Sequence, residues 1–352
     1  MPAVAETFSL GAPVEIGRIE KELKKLWAQG EAAAMTRASL INLAVYSDEP
    51  GSLGKNTQLM SQLTEDHACR AIVIEADSTA KENIAEAWIS AHCHVSRAGS
   101  RQICSEQLSF RLGGPCTTLL PSIVFSHLDS DLPFYLWWQT ELPKKIDPHL
   151  WSWVDHLIYD SQTWPDYAGQ MQLVETAKKE ADQRIVLCDI NWTRLDKIRA
   201  AVAQFFDHPG AHHHFQTIDD VKIAHAPGFH STAVLLAGWL AAQLKWTEGR
   251  RDKSSLQFSG GGKRQIMVQL QESAGEPISE ISLRSGSTEF AVKHSAGADL
   301  LVVTRHDNGD KRMDQRMPAG KNDPVALLSD QLMRGGVHAV YLRVIEQVRG
   351  LI

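Results

Sequence analysis

The sequence predicts an α/β protein built in two parts. The first part has a parallel or mixed sheet with helices on both faces, and the second is an α+β part with an antiparallel meander. Three observations carry this prediction. Short apolar strands alternate with helices up to about residue 206, closely spaced strands follow the glycines at 260–262, and a chain of 352 residues with 43% hydrophobic residues is long enough for two cores.

The N-terminal third predicts a helix followed by strands of both orientations. Val14–Ala34 has apolar residues at the spacing of an amphipathic helix. A strand at Leu40–Tyr46, a helix at Thr57–Asp66 and a strand at Ala71–Glu75 predict a parallel strand pair, since a helical crossover joins them.

Two further segments, Trp88–Val95 and Gln102–Arg111, alternate at period two and predict an antiparallel pair. The residues Arg97–Ser100 between them have the length and composition of a hairpin turn.

A βαβ alternation follows Thr117. After a first helix, we predict strands at Phe134–Trp138, His156–Asp160 and Arg184–Cys188, and helices at Pro148–Val154, Asp166–Ala181 and Asp196–Phe206. Such a succession favours a right-handed parallel sheet.

A polar, His-rich connector at Asp207–His214 interrupts this alternation, and its Pro and Gly end the preceding helix. We therefore predict a domain boundary there, with domains at 1–209 and 210–352. The second domain is predicted to hold a strand at Val221–His225, a helix at Thr232–Leu244, meander strands at Gln265–Gln271, Ile278–Arg284, Glu289–Lys293 and Leu300–Arg305, and helices at Asp323–Met333 and Val337–Val348.

Composition disfavours several classes of protein. The formal charge is -6 and the pI is near 6.2, without a dense Lys/Arg block, so we expect no nucleic-acid binding. Ala233–Ala242 is the longest apolar run, and Met1–Leu10 lacks the features of a signal peptide, so we expect a protein without a membrane span or signal. Five scattered cysteines without a Cys-x-x-Cys pair favour buried thiols in a reducing cytoplasm over a disulfide framework or a zinc site.

Two glycine-rich turns invite comparison with phosphate sites. At Gly113-Gly114-Pro115-Cys116-Thr117 a predicted strand passes into a predicted helix, whose first amides are suited to an anion; the alternative is an ordinary capped helix entry. Gly260–Lys263 lacks the Ser or Thr of a phosphate-binding loop, because Arg264 and a strand pattern follow, so a mobile hairpin turn is the better interpretation.

The sequence offers little catalytic or metal chemistry. The histidines His212–His214, with His208 and His225 nearby, lack the helical spacing and carboxylate of a zinc enzyme. Gly-x-Ser-x-Gly and Gly-x-Gly-x-x-Gly are absent. We therefore predict no catalytic residue, no metal ligand and no cofactor.

Aromatic residues are concentrated in the middle of the chain, where five of the ten tryptophans lie between Trp137 and Trp164. Trp137 and Trp138 point to opposite faces of a predicted strand. They are candidate contacts for a protein partner, since Trp is favoured there; the alternative is that both fill the core.

A second set of candidate contacts, Asn191, Trp192 and Arg194, follows the carboxyl end of another predicted strand. Parallel sheets place their binding loops at this edge, and Arg is favoured at interfaces. The alternative for Arg194 is an internal pair with Asp160 or Asp189.

The order of several motifs resembles the family of glucose-6-phosphate dehydrogenase assembly proteins (OpcA). The segments that carry the resemblance are Cys69–Val73, Cys104–Leu108, Leu120–Val124, Asp131–Trp138, Asp155–Ser161, Asp189–Leu195 and Leu235–Ala242, and they span roughly Thr36 to Trp246. The meander after Gly260 resembles the family in position and length alone.

The resemblance implies a cytoplasmic, non-catalytic partner of glucose-6-phosphate dehydrogenase that promotes its assembly or activity and so supports NADPH formation. It transfers no catalytic residue, and thiol regulation is not carried over because the last cysteine is Cys188. Two alternatives remain at this point: a sugar-phosphate enzyme or metabolite sensor with an anion site at Gly113-Gly114, and a plain scaffold.

Overall fold

The computed structural model describes residues 10–29, 35–95, 102–144, 148–180, 184–207, 211–252, 255–336, 338–348 and 351. Two compact units are distinguished by their internal contacts. Unit 1 consists of Met1–Tyr159 and Leu173–Cys188, and unit 2 consists of Asp160–Gln172 and Asp189–Ile352.

Unit 1 is built on a nine-stranded mixed sheet with the order β1-β5-β6-β4-β3-β7-β8-β9, in which β2 also pairs with β6. The strands are β1 (Ala12–Val14), β2 (Met35–Arg37), β3 (Ile41–Ser47), β4 (Cys69–Asp77), β5 (Ile84–Val95), β6 (Gln102–Gly113), β7 (Phe134–Trp138), β8 (His156–Tyr159) and β9 (Val186–Asp189). The helices along this part of the chain are α1 (Ile19–Gln29), α2 (Ser52–Leu63), α3 (Leu120–Ile123), α4 (Pro148–Trp151) and α5 (Tyr167–Glu180).

The central strands of this sheet are parallel and buried on both faces. Strand β3 pairs in parallel with β4 and with β7, and β4 pairs in parallel with β6. Every residue of β4 from Cys69 to Ala76 is buried, which explains why its centre, Ala71–Ile74, is a continuous apolar run rather than an alternating one. Strand β5 pairs with β6 in the predicted antiparallel orientation.

Unit 2 is built on an eight-stranded sheet with the order β11-β12-β13-β10-β14-β15-β16-β17. Its strands are β10 (Asp220–His225), β11 (Thr247–Asp252), β12 (Ser255–Ser259), β13 (Gln265–Glu272), β14 (Ile278–Ser285), β15 (Thr288–His294), β16 (Leu300–Asp307) and β17 (Asp310–Pro318). The helices are α6 (Ile190–Arg194), α7 (Asp196–Gln204), α8 (His212–Phe215), α9 (His230–Leu244), α10 (Pro324–Arg334) and α11 (Ala339–Val348).

The sheet of unit 2 is antiparallel except at one pair. Strand β10 lies parallel to β13 and antiparallel to β14. Helix α9 is nearly all buried and lies against α11. At Gly238 an added Cβ would lie 2.1 Å from a methyl group of Val348, so the absence of a side chain lets the two helices approach closely.

The predicted fold class is confirmed: a mixed sheet with helices precedes a largely antiparallel sheet. Several element bounds differ. Helix α2 begins at Ser52 rather than at the predicted Thr57. The helix expected from Thr117 is a 3-10 turn (Gly114–Leu119) followed by the four-residue α3. Strands β1, β2, β11, β12 and β17 are not predicted. The first four have only three to six residues and carry little periodicity, and β17 is mostly charged and exposed.

Two further expectations concern the connectors. The hairpin turn expected at Arg97–Ser100 and the boundary residues 208–210 lie outside the described residues. Residues 189–207 belong to the compact unit 2. The division into domains at residue 209 stays a prediction about which fragment folds by itself.

The expected thiol state of the cysteines is wrong for one pair. Cys93 and Cys104 are directly opposed on β5 and β6 and form a disulfide, whereas Cys69, Cys116 and Cys188 are thiols. In the part of the chain described above, no helix has the length and apolar character needed to cross a bilayer.

Candidate functional site

A buried polar cluster in unit 2 lies where two strands of the chain end. Asp160 and Ser161 directly follow β8, and Asp189 is the last residue of β9 and caps helix α6. We define the Asp189 cluster as Asp160, Ser161, Asp189, Asn191, Arg194 and Tyr341.

Asp189 is the centre of this cluster and is 1% exposed. Its Oδ1 accepts hydrogen bonds from the backbone N–H groups of Ser161 (3.1 Å) and Asn191 (2.9 Å). Its Oδ2 accepts from the hydroxyl groups of Ser161 (2.7 Å) and Tyr341 (2.8 Å). Four donors therefore surround one carboxyl group that water does not reach.

Burial raises the pKa of the Asp189 carboxyl group from 3.8 to about 6, and the nearby Asp160 carboxylate adds to this effect. The hydrogen bonds from Ser161 and Tyr341 act in the opposite direction, because they stabilise the ionised form. Desolvation is the larger cause, so this carboxyl group titrates closer to neutrality than an exposed aspartate.

Asn191 joins the cluster to the start of helix α9. Its side-chain amide donates to the Ser161 hydroxyl (3.2 Å), and its carbonyl oxygen accepts from the Thr232 hydroxyl (2.6 Å). The same oxygen accepts from Nη1 of Arg194 (3.0 Å). Because Asn191 is fully buried, its position is fixed by these contacts within unit 2.

Arg194 lies at the edge of the cluster, with 9% of its side chain exposed. Its guanidinium group donates to both carboxylate oxygens of Asp160, at 3.2 and 2.8 Å, in a fork geometry. Its Nε donates to the side-chain oxygen of Asn322 at 2.6 Å, and its Cζ lies 5.5 Å from the ring centre of Phe229. The internal ion pair, one of the two interpretations open to Arg194, is therefore present.

Trp192 packs inside unit 2 and is 4% exposed. Its ring centre lies 5.4 Å from that of Tyr341, and the Arg199 guanidinium lies 3.3 Å from the Trp192 ring centre. Burial lowers the pKa of Arg199 to about 9. Arg199 and Arg334 both pair with Asp196, so a charged network lies behind the Trp192 ring.

The tryptophans of β7 are also buried, each with 6% exposure. The ring of Trp138 stacks on Tyr46 with centres 3.9 Å apart, and its N–H donates to the Glu141 carbonyl at 3.1 Å. The N–H of Trp137 has no acceptor within the described ranges. Contact of Trp137, Trp138, Asn191, Trp192 or Arg194 with a partner stays a prediction, and burial favours the core alternative for the two tryptophans of β7.

The Gly113-Gly114 turn is occupied by protein atoms. Gly114 has a φ of +56°, and a Cβ there would lie 2.8 and 2.9 Å from the carbonyl oxygens of Glu82 and Ala80. The Thr117 hydroxyl donates to the Gly114 carbonyl at 2.8 Å. Carbonyl oxygens carry partial negative charge, so these close protein contacts favour a packed turn over an anion site.

The sequence points to Asp160 and Asp189 only as alternative partners of Arg194, and it does not point to Ser161 or Tyr341. Asp160, Ser161 and Asp189 are polar residues at the ends of two predicted neighbouring strands. Their position was a usable signal, since such ends meet at one edge of a parallel sheet. Tyr341 comes from α11, far along the chain, and no local pattern points to it. The described residues contain no group of three His, Cys, Asp or Glu side chains placed to hold a metal ion.

Two solved structures resemble this chain loosely. An oxidoreductase from Bacillus cereus has a TM-score of 0.47 at 8% identity, covering 88% of this chain and 96% of that one. A dehydrogenase from Chromobacterium violaceum has a TM-score of 0.45 at 11% identity, covering 89% and 93%. Scores below 0.5 carry no functional conclusion.

Comparison with protein families is specific. The family described as the glucose-6-phosphate dehydrogenase subunit N-terminal domain matches residues 60–176, and the corresponding C-terminal domain matches residues 185–345. A curated relative from Synechocystis sp. (strain ATCC 27184 / PCC 6803 / Kazusa), named "Putative OxPP cycle protein OpcA", is 24% identical over 92% of this chain and 72% of the relative. The two domains follow one another in the family's order along most of the sequence, and this chain therefore belongs to the OpcA family of glucose-6-phosphate dehydrogenase assembly proteins.

Proposed function

We propose that this protein is a non-catalytic assembly factor or allosteric activator of glucose-6-phosphate dehydrogenase, acting in the oxidative pentose phosphate pathway to support NADPH production. The observation that carries the proposal is the match of both family domains, in order, to residues 60–176 and 185–345. A cytoplasmic location follows from the proposed partner.

The geometry of the candidate site supports a binding role. The polar side chains of the Asp189 cluster bond to one another, as the contacts of Asp189, Asn191 and Arg194 show. A cluster of this kind holds a turn rigidly, which suits a protein that presents a fixed surface to a partner.

The second candidate is a sugar-phosphate enzyme or metabolite sensor with an anion site at Gly113-Gly114. The carbonyl groups of Ala80 and Glu82 lie close to Gly114, and this observation stands against it. We therefore keep the activator as the proposal.

The experiment that tests the proposal is a titration of the host's own glucose-6-phosphate dehydrogenase with this protein. We expect the dehydrogenase rate to rise and to saturate at a fixed molar ratio, while this protein alone turns over none of the pentose phosphate intermediates. A flat rate over the whole range, with both proteins folded, would contradict the proposal.

The same two proteins distinguish two modes of activation. An assembly factor stabilises the dehydrogenase oligomer by mass action, so its effect disappears when the dehydrogenase is already concentrated enough to be fully assembled. An allosteric activator binds the active conformation more tightly than the inactive one, so its effect persists at high dehydrogenase concentration. Measuring activation over a range of dehydrogenase concentrations, with the oligomer size followed by light scattering, separates them.

A further inference from the structure

A cavity of about 680 Å³ lies in unit 2 beside the carboxyl end of helix α9 and the turn that precedes β13. Its wall includes Phe215, Leu244, Lys245, Trp246, Gly261 and Arg264. This volume is in the range of cavities that hold a small organic ligand and is far larger than a single inorganic ion requires.

The charges in this wall are positive. Lys245 and Arg264 both line the cavity, and no carboxylate is found among the described residues of the lining. The Arg264 guanidinium donates through Nη1 to the Gln216 carbonyl, and its Nε is buried without a hydrogen-bond partner among the described residues. Two cations in a wall that offers them no carboxylate, in a protein of net charge -6, favour an anionic ligand.

Lys245 is held in an unusual backbone conformation. It has a φ of +56°, a region that among the described non-glycine residues is otherwise occupied by Asn308 alone. A lysine at the end of α9 also offsets the partial negative charge of the helix carbonyls, which is the ordinary explanation for a cation there. A left-handed conformation is common at the end of a helix, and Lys245 is the C-cap residue of α9. The helix end does not account for the second cation at Arg264.

The glycine turn leaves the rim of the cavity open. A Cβ added at Gly261 or Gly262 would meet no atom within 4 Å, so the turn exposes backbone rather than packing against its neighbours. Gly262 has a φ of +72°. The turn lacks the residues of a phosphate-binding loop, but two cations beside it, Lys245 and Arg264, supply the positive charge.

A second cavity, of about 260 Å³, lies beside the first and has an aromatic lining. The two share Phe215, Gln243 and Leu244, and the second is lined further by Phe206 and Trp239, with Asp207 at its wall. An anion-binding end next to an aromatic end, with one carboxylate to accept a hydrogen bond, matches a ligand that carries a phosphate group at one end and a planar, amino-bearing ring at the other.

We propose that the cavity beside Lys245 and Arg264 binds a nucleoside phosphate, with the phosphate group on these two cations and the base against the aromatic wall of Phe206, Phe215 and Trp239. Binding is measured on this protein alone, so its presence or absence is independent of the proposed function.

The test uses the full chain and three probes: AMP, inorganic pyrophosphate and adenosine, each titrated by isothermal calorimetry. We expect AMP to bind with a Kd below about 1 mM and adenosine to bind at least about tenfold more weakly, because it lacks the phosphate. Pyrophosphate is expected to compete with AMP.

Two variants remove one cation each without disturbing the backbone. Lys245→Asn keeps a residue that tolerates a positive φ, and Arg264→Gln keeps a polar side chain. Each should weaken AMP binding by about tenfold or more, as the loss of one charged contact requires. Lys222→Gln removes the same charge from an exposed position on β10 that does not line the cavity, and it should bind AMP as the wild type does.

Three results would each overturn the inference. Absence of AMP binding up to about 10 mM would overturn the inference. So would unchanged binding in both cavity variants, and so would an equal loss in Lys222→Gln, which would indicate a general charge effect. Circular dichroism shows whether each variant is folded. If one cavity variant is unfolded, the other variant and the pyrophosphate competition still test the inference.

Discussion

Tyr341 in helix α11 donates its phenolic hydroxyl group to Oδ2 of Asp189, 152 positions earlier in the sequence, at 2.8 Å. Both side chains are at most 1% exposed. The bond ties the last helix of unit 2 to the turn at Asp189, and the Trp192 ring lies against the same tyrosine. Tyr341, which lies outside the segments that carry the family resemblance, thus contacts both Asp189 and Trp192 of the Asp189–Leu195 motif.

Tyr341→Phe tests this connection. The ring contact with Trp192 is kept, while the buried Asp189 carboxyl group loses one of its four donors. We expect a loss of about 1–3 kcal/mol in the free energy of unfolding at pH 7, measured by denaturant titration. Tyr46→Phe is the matched control: its ring stacks on Trp138 and its hydroxyl forms no hydrogen bond with the described residues, so we expect a change below about 0.5 kcal/mol. Equal effects of the two substitutions would contradict the structural role of the bond.

Arg194→Ala should destabilise the fold. The guanidinium group forms a forked pair with Asp160 and is mostly buried, so its removal leaves a carboxylate without its partner. We expect a loss of about 3 kcal/mol in the free energy of unfolding. Lys311→Ala, which breaks the exposed pair with Asp314, is the control and should change the free energy by less than about 0.5 kcal/mol.

The same Arg194 variant separates internal packing from partner contact. If the surviving folded protein activates the dehydrogenase normally, Arg194 acts only within this chain. If activation falls while the melting temperature is unchanged, the internal pair is not what Arg194 contributes, and its proposed role as an interface residue is supported.

The stability of unit 2 should depend on pH through Asp189. The folded pKa of this carboxyl group, about 6, lies above the ordinary value of 3.8. The folded state therefore holds the proton more tightly than the unfolded state, and the stability that this adds is fully present below about pH 4 and is lost as pH rises through 6. The size of this loss between pH 4 and pH 7 is about 2 kcal/mol. Asp189→Asn, which cannot ionise, should remove that part of the pH dependence. The measurement is the difference in unfolding free energy between wild type and variant from pH 4 to pH 7, and a difference that stays constant would contradict the raised pKa.

The positions of most strands of unit 1 were open to prediction, whereas the polar cluster of unit 2 was not. Apolar runs such as Ala71–Glu75 and Phe134–Trp138 identify buried parallel strands by composition alone. The Asp189 cluster depends on Tyr341 and on the side chain of Asn322, which approach from distant elements. Their contacts follow from tertiary packing, and no periodicity in the sequence encodes them.

The disulfide shows a different kind of failure. The structure pairs Cys93 with Cys104 across β5 and β6. The hairpin predicted from the sequence, with four turn residues at Arg97–Ser100, implies the same register. The odd number and scattered spacing of the cysteines point instead to free thiols. The predicted register of the two strands was the better guide, because a disulfide depends on the positions of the strands rather than on the count of cysteines.

Gly114→Ala should be more costly than an ordinary glycine replacement. Gly114 and Gly286 have similar φ values, +56° and +60°, but a Cβ at Gly114 would meet two carbonyl oxygens below 3.0 Å, while one at Gly286 would meet no atom within 4 Å. We expect Gly286→Ala to lose about 1 kcal/mol from backbone strain and Gly114→Ala to lose at least about 2 kcal/mol more. Equal losses in denaturant titrations would show that the close approach of Ala80 and Glu82 is relieved at no cost.

Reduction of the Cys93–Cys104 disulfide should lower stability without unfolding the protein. The bridge closes a short loop, since the two cysteines are 11 positions apart, while the pairing of β5 with β6 along their length is independent of it. We expect a reductant, or Cys93→Ser with Cys104→Ser, to lower the free energy of unfolding by about 2 kcal/mol, because the unfolded chain regains the freedom that the bridge removes. Cys116→Ser, at a free and partly exposed cysteine, is the control and should change the free energy of unfolding little.

Thiol titration of the denatured, unreduced protein should detect Cys69, Cys116 and Cys188 and no others. Detection of all five cysteines as thiols would show that the bridge is absent, and unchanged stability on reduction would show that pairing of the two strands alone holds this edge of the sheet.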